Sequence, residues 1–273
     1  MMEYVIGVSI GGLLGLTGAG GSVFAVPLLI LLMGLPASEA MGTALGAVAC
    51  AAFYGVIHQR HRVLWSPGAI LAVSGMIVAP LGKWVSLHVP ELWLLVGFSM
   101  LAFIIAIRMW RQSFKDPVAT RVTRGASVDV PTEPQAMLCR YSPDGIFHLQ
   151  INCVTSLVIG GVIIGFVSGV FGVGGGFLIV PFLLFVSGMP MKTAVATSLF
   201  SIVLVSSAGF VSHVLLTEGV EIFLLSKIIL SALLGMILSQ QVSAYLAGPL
   251  LQQIFSVALI IVSVFTVAQN FLG

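Results

Sequence analysis

The chain has 273 residues, 59% of them hydrophobic and 7% charged, with a formal net charge of +2 and a mean hydropathy of +1.16. Soluble domains run near 45–50% apolar and roughly 25% charged, so a water-facing surface cannot be assembled here, and the wealth of apolar surface excludes disorder. A polytopic helical membrane protein remains, a class in which the 31 glycines are at home.

A membrane helix needs about 20 mainly apolar residues. Met1-Met2-Glu3 lacks a basic leader, and the apolar run after it ends in glycines rather than a cleavage site, so Met2–Leu16 reads as a first membrane segment and not a signal peptide. Ser22–Met33 follows; a dozen residues make only about 18 Å of helix, short of the roughly 30 Å hydrocarbon core. Ala37–Ile57, Pro67–Leu87 and Glu91–Trp110 are full spans. Arg111–Leu149 is polar, carries four prolines and, with Arg108, holds six of the eleven Lys/Arg residues. It reads as a cytoplasmic linker, with a regulatory or partner-binding role as the alternative. Gln150–Val170, the short Phe177–Ser187, Lys192–Val214, Phe223–Leu246 and Leu250–Phe271 complete the series. The division is a first membrane repeat over 1–110, a linker over 111–149 and a second repeat over 150–273. Cys50, Cys139 and Cys153 are odd in number and lack ligand spacing. Cys50 and Cys153 are expected to be packing residues, with neither a disulfide nor a zinc site.

The two halves repeat. Shifted by 154 residues, Gly15-Leu16-Thr17-Gly18-Ala19-Gly20-Gly21-Ser22 falls on Gly169-Val170-Phe171-Gly172-Val173-Gly174-Gly175-Gly176, and Pro27 falls on Pro181. The match continues through Gly34/Gly188, Pro36/Pro190, Ala40/Ala194, Thr43/Thr197 and Gly55/Gly209. After a six-residue insertion near Glu218–Glu221, Gly75-Met76-Ile77 meets Gly235-Met236-Ile237. Repeats whose corresponding short segments are broken by Gly and Pro point to a transporter binding site. The expected fold is all-α: two homologous halves forming an inverted repeat of about five helical segments each, with glycine-interrupted short helices. A parallel four-plus-four arrangement is the alternative.

The doubled G-x-G-G-x-x-x-x-V-P pattern resembles the sulfite exporter TauE/SafE family of membrane permeases, also called the 4-toluenesulfonate uptake permease family. The resemblance covers nearly the whole chain except the central loop. It implies transport of a small sulfur-containing anion (sulfite, an organosulfonate or thiosulfate) by a multi-pass protein of the cell membrane, the bacterial inner membrane. The first copy departs from the second at Ala19 and Ser22, so the two half-sites need not be equivalent.

Glycine permits close backbone approach, and successive N–H groups before a helix form a concavity that attracts anions, reinforced by the helix start. Irregular backbone at membrane depth must be buried or line a wet cavity. Thr17, Gly18, Gly20, Gly21 and Ser22 in one copy, and Gly172, Gly174, Gly175 and Gly176 in the other, are therefore candidate substrate-binding residues, with Thr43, Thr197 and Ser198 supplying hydroxyls. The competing reading is tight helix packing through small residues. Pro27 and Pro181 suit the first turn of the short helices. Lys83, Gln240 and Gln241 are possible pathway residues, whereas Glu39, Arg108, Lys192, Lys227, His58 and His213 read as interface residues near helix ends.

Arg60 and Arg62 make the first-half loop basic, as the central loop is, which places both on the cytoplasmic side. Glu218 and both chain ends are then expected outside. The absence of H-E-x-x-H, G-x-S-x-G and paired intramembrane carboxylates argues against an enzyme, and no catalytic residue, metal, cofactor or nucleic-acid partner is expected. The reading is a secondary transporter, the alternatives being a permease for another small organic or inorganic anion or a non-coupled anion channel. The partners it names are a small anionic substrate and the lipid bilayer, with the oligomeric state open. The two glycine loops are expected to meet near the bilayer midplane.

Overall fold

The computed structural model describes residues 2–17, 21–90, 92–94, 96–101, 103, 104, 107, 139–141, 147, 148, 151–187, 189, 191–216 and 221–246. The first half supplies α1 (Met2–Thr17), α2 (Gly21–Met33), α3 (Ala37–Gln59), a 3₁₀ turn at Arg60–Arg62, α4 (Trp65–His88) and α5 (Leu92–Leu101). The second supplies α6 (Ile151–Phe171), α7 (Gly176–Ser187), α8 (Met191–Leu216) and α9 (Ile222–Leu246). Five of the described helices are long and apolar enough to cross a membrane: Ala37–Arg62, Trp65–His88, Ile151–Phe171, Lys192–Leu216 and Phe223–Gln241. The protein is a helical, multi-pass membrane protein. Most of the linker, Gly18 and Gly20, the loop at Glu218 and the span Leu250–Phe271 lie outside the described residues. Within the linker, Arg140–Tyr141 and Phe147–His148 form a two-residue antiparallel pairing.

Each outer helix has one face for lipid and one for protein. Along the middle of α4 the exposed side chains are Val73, Met76, Ile77, Leu81 and Trp84, all apolar, while Leu71, Gly75, Gly82, Lys83 and Ser86 are buried. Lipid tails give apolar side chains no reason to hide, so association rests on van der Waals packing between small residues. Two glycine stripes provide it. Gly7, Gly11 and Gly15 on α1 lie against Ile228, Ser231, Ala232, Met236 and Ser239 of α9; Gly161, Gly165 and Gly169 on α6 lie against Leu71, Ser74, Gly75, Ala79 and Lys83 of α4. The stripes stand at the same 154-residue offset as the rest of the repeat, and each clamps the first helix of one half to the fourth helix of the other. An ion pair of 2.9 Å between Lys227 and Glu3 pins the start of α9 to the start of α1.

These neighbours also fix helix directions. α1 runs parallel to α9 and α4 parallel to α6, because contacts advance along both members together. At the centre, α3 and α8 run antiparallel: Gly42 adjoins His213 and Gly46 adjoins Phe210. The fold therefore has a basic end, with exposed Arg60, Arg62 and Lys192, and an acidic end, with Glu3, Glu39 and Glu221. The turn between α3 and α4 at the basic end is tied to α8 by the Leu64 N–H, which donates to Thr197 Oγ1 at 3.0 Å.

Three expectations change. Pro27 and Pro181 are inside α2 and α7, at the seventh and sixth positions rather than in the first turn; each removes a bond to the carbonyl four residues back. Cys139 and Cys153 are joined in a disulfide, with Cα atoms 4.9 Å apart, and the Cys139 N–H donates to Val186 at the end of α7. Spacing alone hid the pair, because the partners come from the linker and a helix start. His213 is buried at 2% exposure rather than interfacial, because the end of α8 is covered by α3.

Candidate functional site

The centre of the molecule is the break between α6 and α7. Gly172, Gly174 and Gly175 there have φ of +66°, +72° and +67°, a left-handed conformation that side chains with a Cβ adopt at a cost. Two of them in succession lead into α7 at Gly176, where the Leu178 and Ile179 N–H groups donate to Gly175 O at 3.0 and 3.2 Å. A glycine break of this kind before a helix start can present its earlier N–H groups to an anion.

The loop is close to its counterpart. A Cβ on Gly174 would stand 2.6 Å from Ser206 Oγ on α8, 3.3 Å from Val48 on α3 and 3.7 Å from Ser22 Cβ, the second residue of α2. The starts of α2 and α7 thus approach each other near the midpoints of α3 and α8. Ser22 is fully buried there. Gly21 opens α2 against Leu13 and Leu14 of α1, where a side chain would strike the α1 backbone. That glycine serves packing.

Hydroxyl bonding separates structural from available serines. Ser74, Ser86, Ser198, Ser212, Ser231 and Ser239 all donate to carbonyls three or four residues earlier in their own helices, the usual way a helix satisfies a buried serine. Ser206 and Ser168 do not. Their hydroxyls are buried without any hydrogen-bond partner, Ser206 beside Gly174 and Ser168 with its Cβ 3.3 Å from a Cβ on Gly175. His213 Nδ1 is also buried and unpartnered. It lies beside Gly42, and the neighbouring Met41 packs on Gly172. Three unsatisfied polar groups therefore surround one glycine loop. Buried polar groups are ordinarily bonded; Ser99 Oγ is likewise unpartnered, but the three groups near the loop make it the candidate site for a polar ligand.

The expected residues divide accordingly. Ser22, Gly172, Gly174, Gly175 and Gly176 gather at the centre. Thr43 is buried on α3 toward the acidic end, near the level of His213. Thr197 and Ser198 stand at the basic end, nine and eight residues along α8 from Ser206, or about 12–14 Å. Thr17 closes α1. Lys83 is buried at 2% exposure on the acidic-end half of α4, and Gln240 adjoins Gly55 on the basic-end half; Gln241 is exposed. Sequence reasoning missed Ser168, Ser206 and the burial of His213. No local signal singled out the serines: Ser168 stands three residues before the end of α6, and Ser206 is one of several hydroxyl residues on α8.

Residues 4–266 match the family described as sulfite exporter TauE/SafE. The chain belongs to this family. A family member of this kind is a membrane transporter, a permease, and its relatives carry that description. A "Probable membrane transporter protein" of Xylella fastidiosa strain Temecula1 is 28% identical over 280 residues, covering 99% of this chain and 97% of its own. One from Haemophilus influenzae is 28% identical over 251 residues, covering 85% and 81%. YunE of Bacillus subtilis, also described as a probable membrane transporter protein, reaches 49% over 53 residues, 19% of each chain. No solved structure matches the chain.

Proposed function

We propose that this permease is a secondary transporter, not an enzyme, moving a small sulfur-containing anion (sulfite, an organosulfonate or thiosulfate) across the cytoplasmic membrane. The observation that carries the reading is the α6–α7 glycine loop, which faces the start of α2 and is flanked by the unpartnered hydroxyls of Ser168 and Ser206. Desolvating an ion costs several kcal/mol, while each hydrogen bond to a charged group contributes about 1.5–3 kcal/mol. Three or four convergent donors therefore offset the penalty without a carboxylate-paired Arg or Lys at the midplane. Both half-helix starts add partial positive charge.

The same reading includes an inverted repeat over 1–110 and 150–273, joined by the linker over 111–149. It is supported by the opposite course of corresponding helices: α3 antiparallel to α8, with α1 following α9 and α4 following α6. The basic end faces the cytoplasm by the positive-inside rule. The Cys139–Cys153 bridge at that end speaks for the reverse, since disulfides persist in oxidising compartments. Labelling decides between them. With the native cysteines changed to serine, an impermeant thiol reagent applied outside should modify Glu221→Cys and spare Arg60→Cys; the converse pattern inverts the protein.

Substrate class is tested with purified protein in liposomes and labelled sulfite, sulfoacetate and thiosulfate. Saturable uptake of at least one, stimulated by the same anion on the far side and competed poorly by a neutral isostere, is the expected result. Uptake without saturation would make the protein a channel, and uptake of none would remove sulfur anions as the substrate.

A further inference from the structure

Lys83 is among the largest fully buried side chains in the protein. Burying an ammonium at membrane depth is expensive unless something answers its charge. Among the described residues no carboxylate does: the ion pair there is Lys227–Glu3, at the acidic-end surface. A chain of close contacts through four helices links Lys83 to His213. The Lys83 backbone on α4 touches Gly169 near the end of α6, two residues before Phe171 and three before Gly172; Gly172 packs on Met41 of α3; Gly42 of α3 packs on His213 of α8. His213 Nδ1 is buried without a partner. The end of α6, where Gly169 adjoins the Lys83 backbone, carries a partial negative charge that favours a cation on this part of α4.

Lys83 and His213 lie between the acidic end and the Gly174–Ser206 centre. Lys83 stands five residues from the end of α4 and His213 three from the end of α8, whereas Ser206 is a further seven residues inward. The repeat does not reproduce the pair at the basic end. At the 154-residue offset His213 corresponds to Gln59, and at the later 160-residue offset Lys83 corresponds to Ser243.

We propose that Lys83 and His213 line an anion-binding station on the acidic-end side of the glycine loop, present in one half only, which accepts a compact oxyanion or sulfonate before it reaches Gly174 and Ser206. The station rests on the permease reading above and adds a direction to it: an anion meets a full positive charge from the acidic end and only neutral groups at the corresponding place from the basic end. Lys83 supplies charge and donors, and the imidazole supplies a further donor when its proton is on Nδ1.

The test does not depend on transport. With the native cysteines changed to serine, His213→Cys is modified from the acidic end by a sulfonate-bearing methanethiosulfonate and by its trimethylammonium counterpart, each rate normalised to that reagent's rate with a free thiol. The expected result is a preference of about tenfold for the anionic reagent, lost in Lys83→Met, kept in Lys83→Arg and reduced by added sulfate. Met41→Cys serves the same purpose should His213→Cys fail to fold. Equal normalised rates, a preference that survives Lys83→Met, or modification at neither position would overturn the station. Sulfite uptake by the wild-type protein without this charge preference would leave the permease reading standing and remove the station. Charge preference without sulfite uptake would do the reverse.

Discussion

Two glycines with nearly the same backbone but different surroundings separate folding from transport. Gly34 and Gly174 have φ of +66° and +72°, so alanine at either carries the same left-handed penalty of about 1–2 kcal/mol. Nothing lies within 4 Å of a Cβ at Gly34, and the cost of Gly34→Ala stops there. At Gly174 the new carbon falls 2.6 Å from Ser206 Oγ, against an ordinary contact of about 3.5 Å. The hydroxyl must retreat by roughly 0.9 Å, and overpacking of this kind adds about 1–3 kcal/mol. If Ser206 and the loop hold the anion, that displacement also removes one charge-assisted hydrogen bond, about 1.5–3 kcal/mol or roughly 10- to 100-fold in transport. The measurement is initial uptake of labelled sulfite into liposomes, divided by the folded protein that elutes as one species on size exclusion. Gly34→Ala should keep uptake per folded molecule within about twofold, and Gly174→Ala should lose at least about tenfold. Equal losses per folded molecule would mean that the glycine loop serves packing alone.

Ser206→Ala removes a buried hydroxyl with no partner, a group that costs about 1–3 kcal/mol to leave unsatisfied; its thermal midpoint should rise while uptake falls about tenfold, and a fall in both would return the serine to a structural role. Gly11→Leu and Gly165→Leu put side chains into the backbones of Ala232 and Gly75, so the expected outcome is loss of folded protein on size exclusion, with whatever remains folded transporting normally.

Much of this was visible in the order of residues. Helix length and uninterrupted apolar composition gave seven full spans and three shorter segments, because a segment that must bond its own backbone in lipid has only the helix available. Five of those spans and the three shorter segments lie close to their observed limits, while the expected span Glu91–Trp110 is described only as α5 over Leu92–Leu101 and Leu250–Phe271 lies outside the described residues. The repeat located both glycine breaks, and the second one carries the three left-handed glycines. The stripes at Gly7, Gly11 and Gly15 and at Gly161, Gly165 and Gly169 were present in the same alignment, four residues apart, and their meaning lay in which helices they clamp.

What tertiary structure alone decided depends on neighbours far along the chain. Serine reads the same in sequence whether it bonds its own helix, as Ser198 and Ser212 do, or is left unpartnered beside a glycine loop, as Ser168 and Ser206 are. Thr197 looked like Thr43's equal until the fold set it under the Leu64 N–H at the basic end. His213 looked interfacial because its distance from the end of α8 is a local property, while its burial comes from α3, some 170 residues earlier. The sequence determined the class, the spans and the repeat, since these follow from one segment's transfer into lipid. Which polar groups are satisfied was decided by packing between the halves.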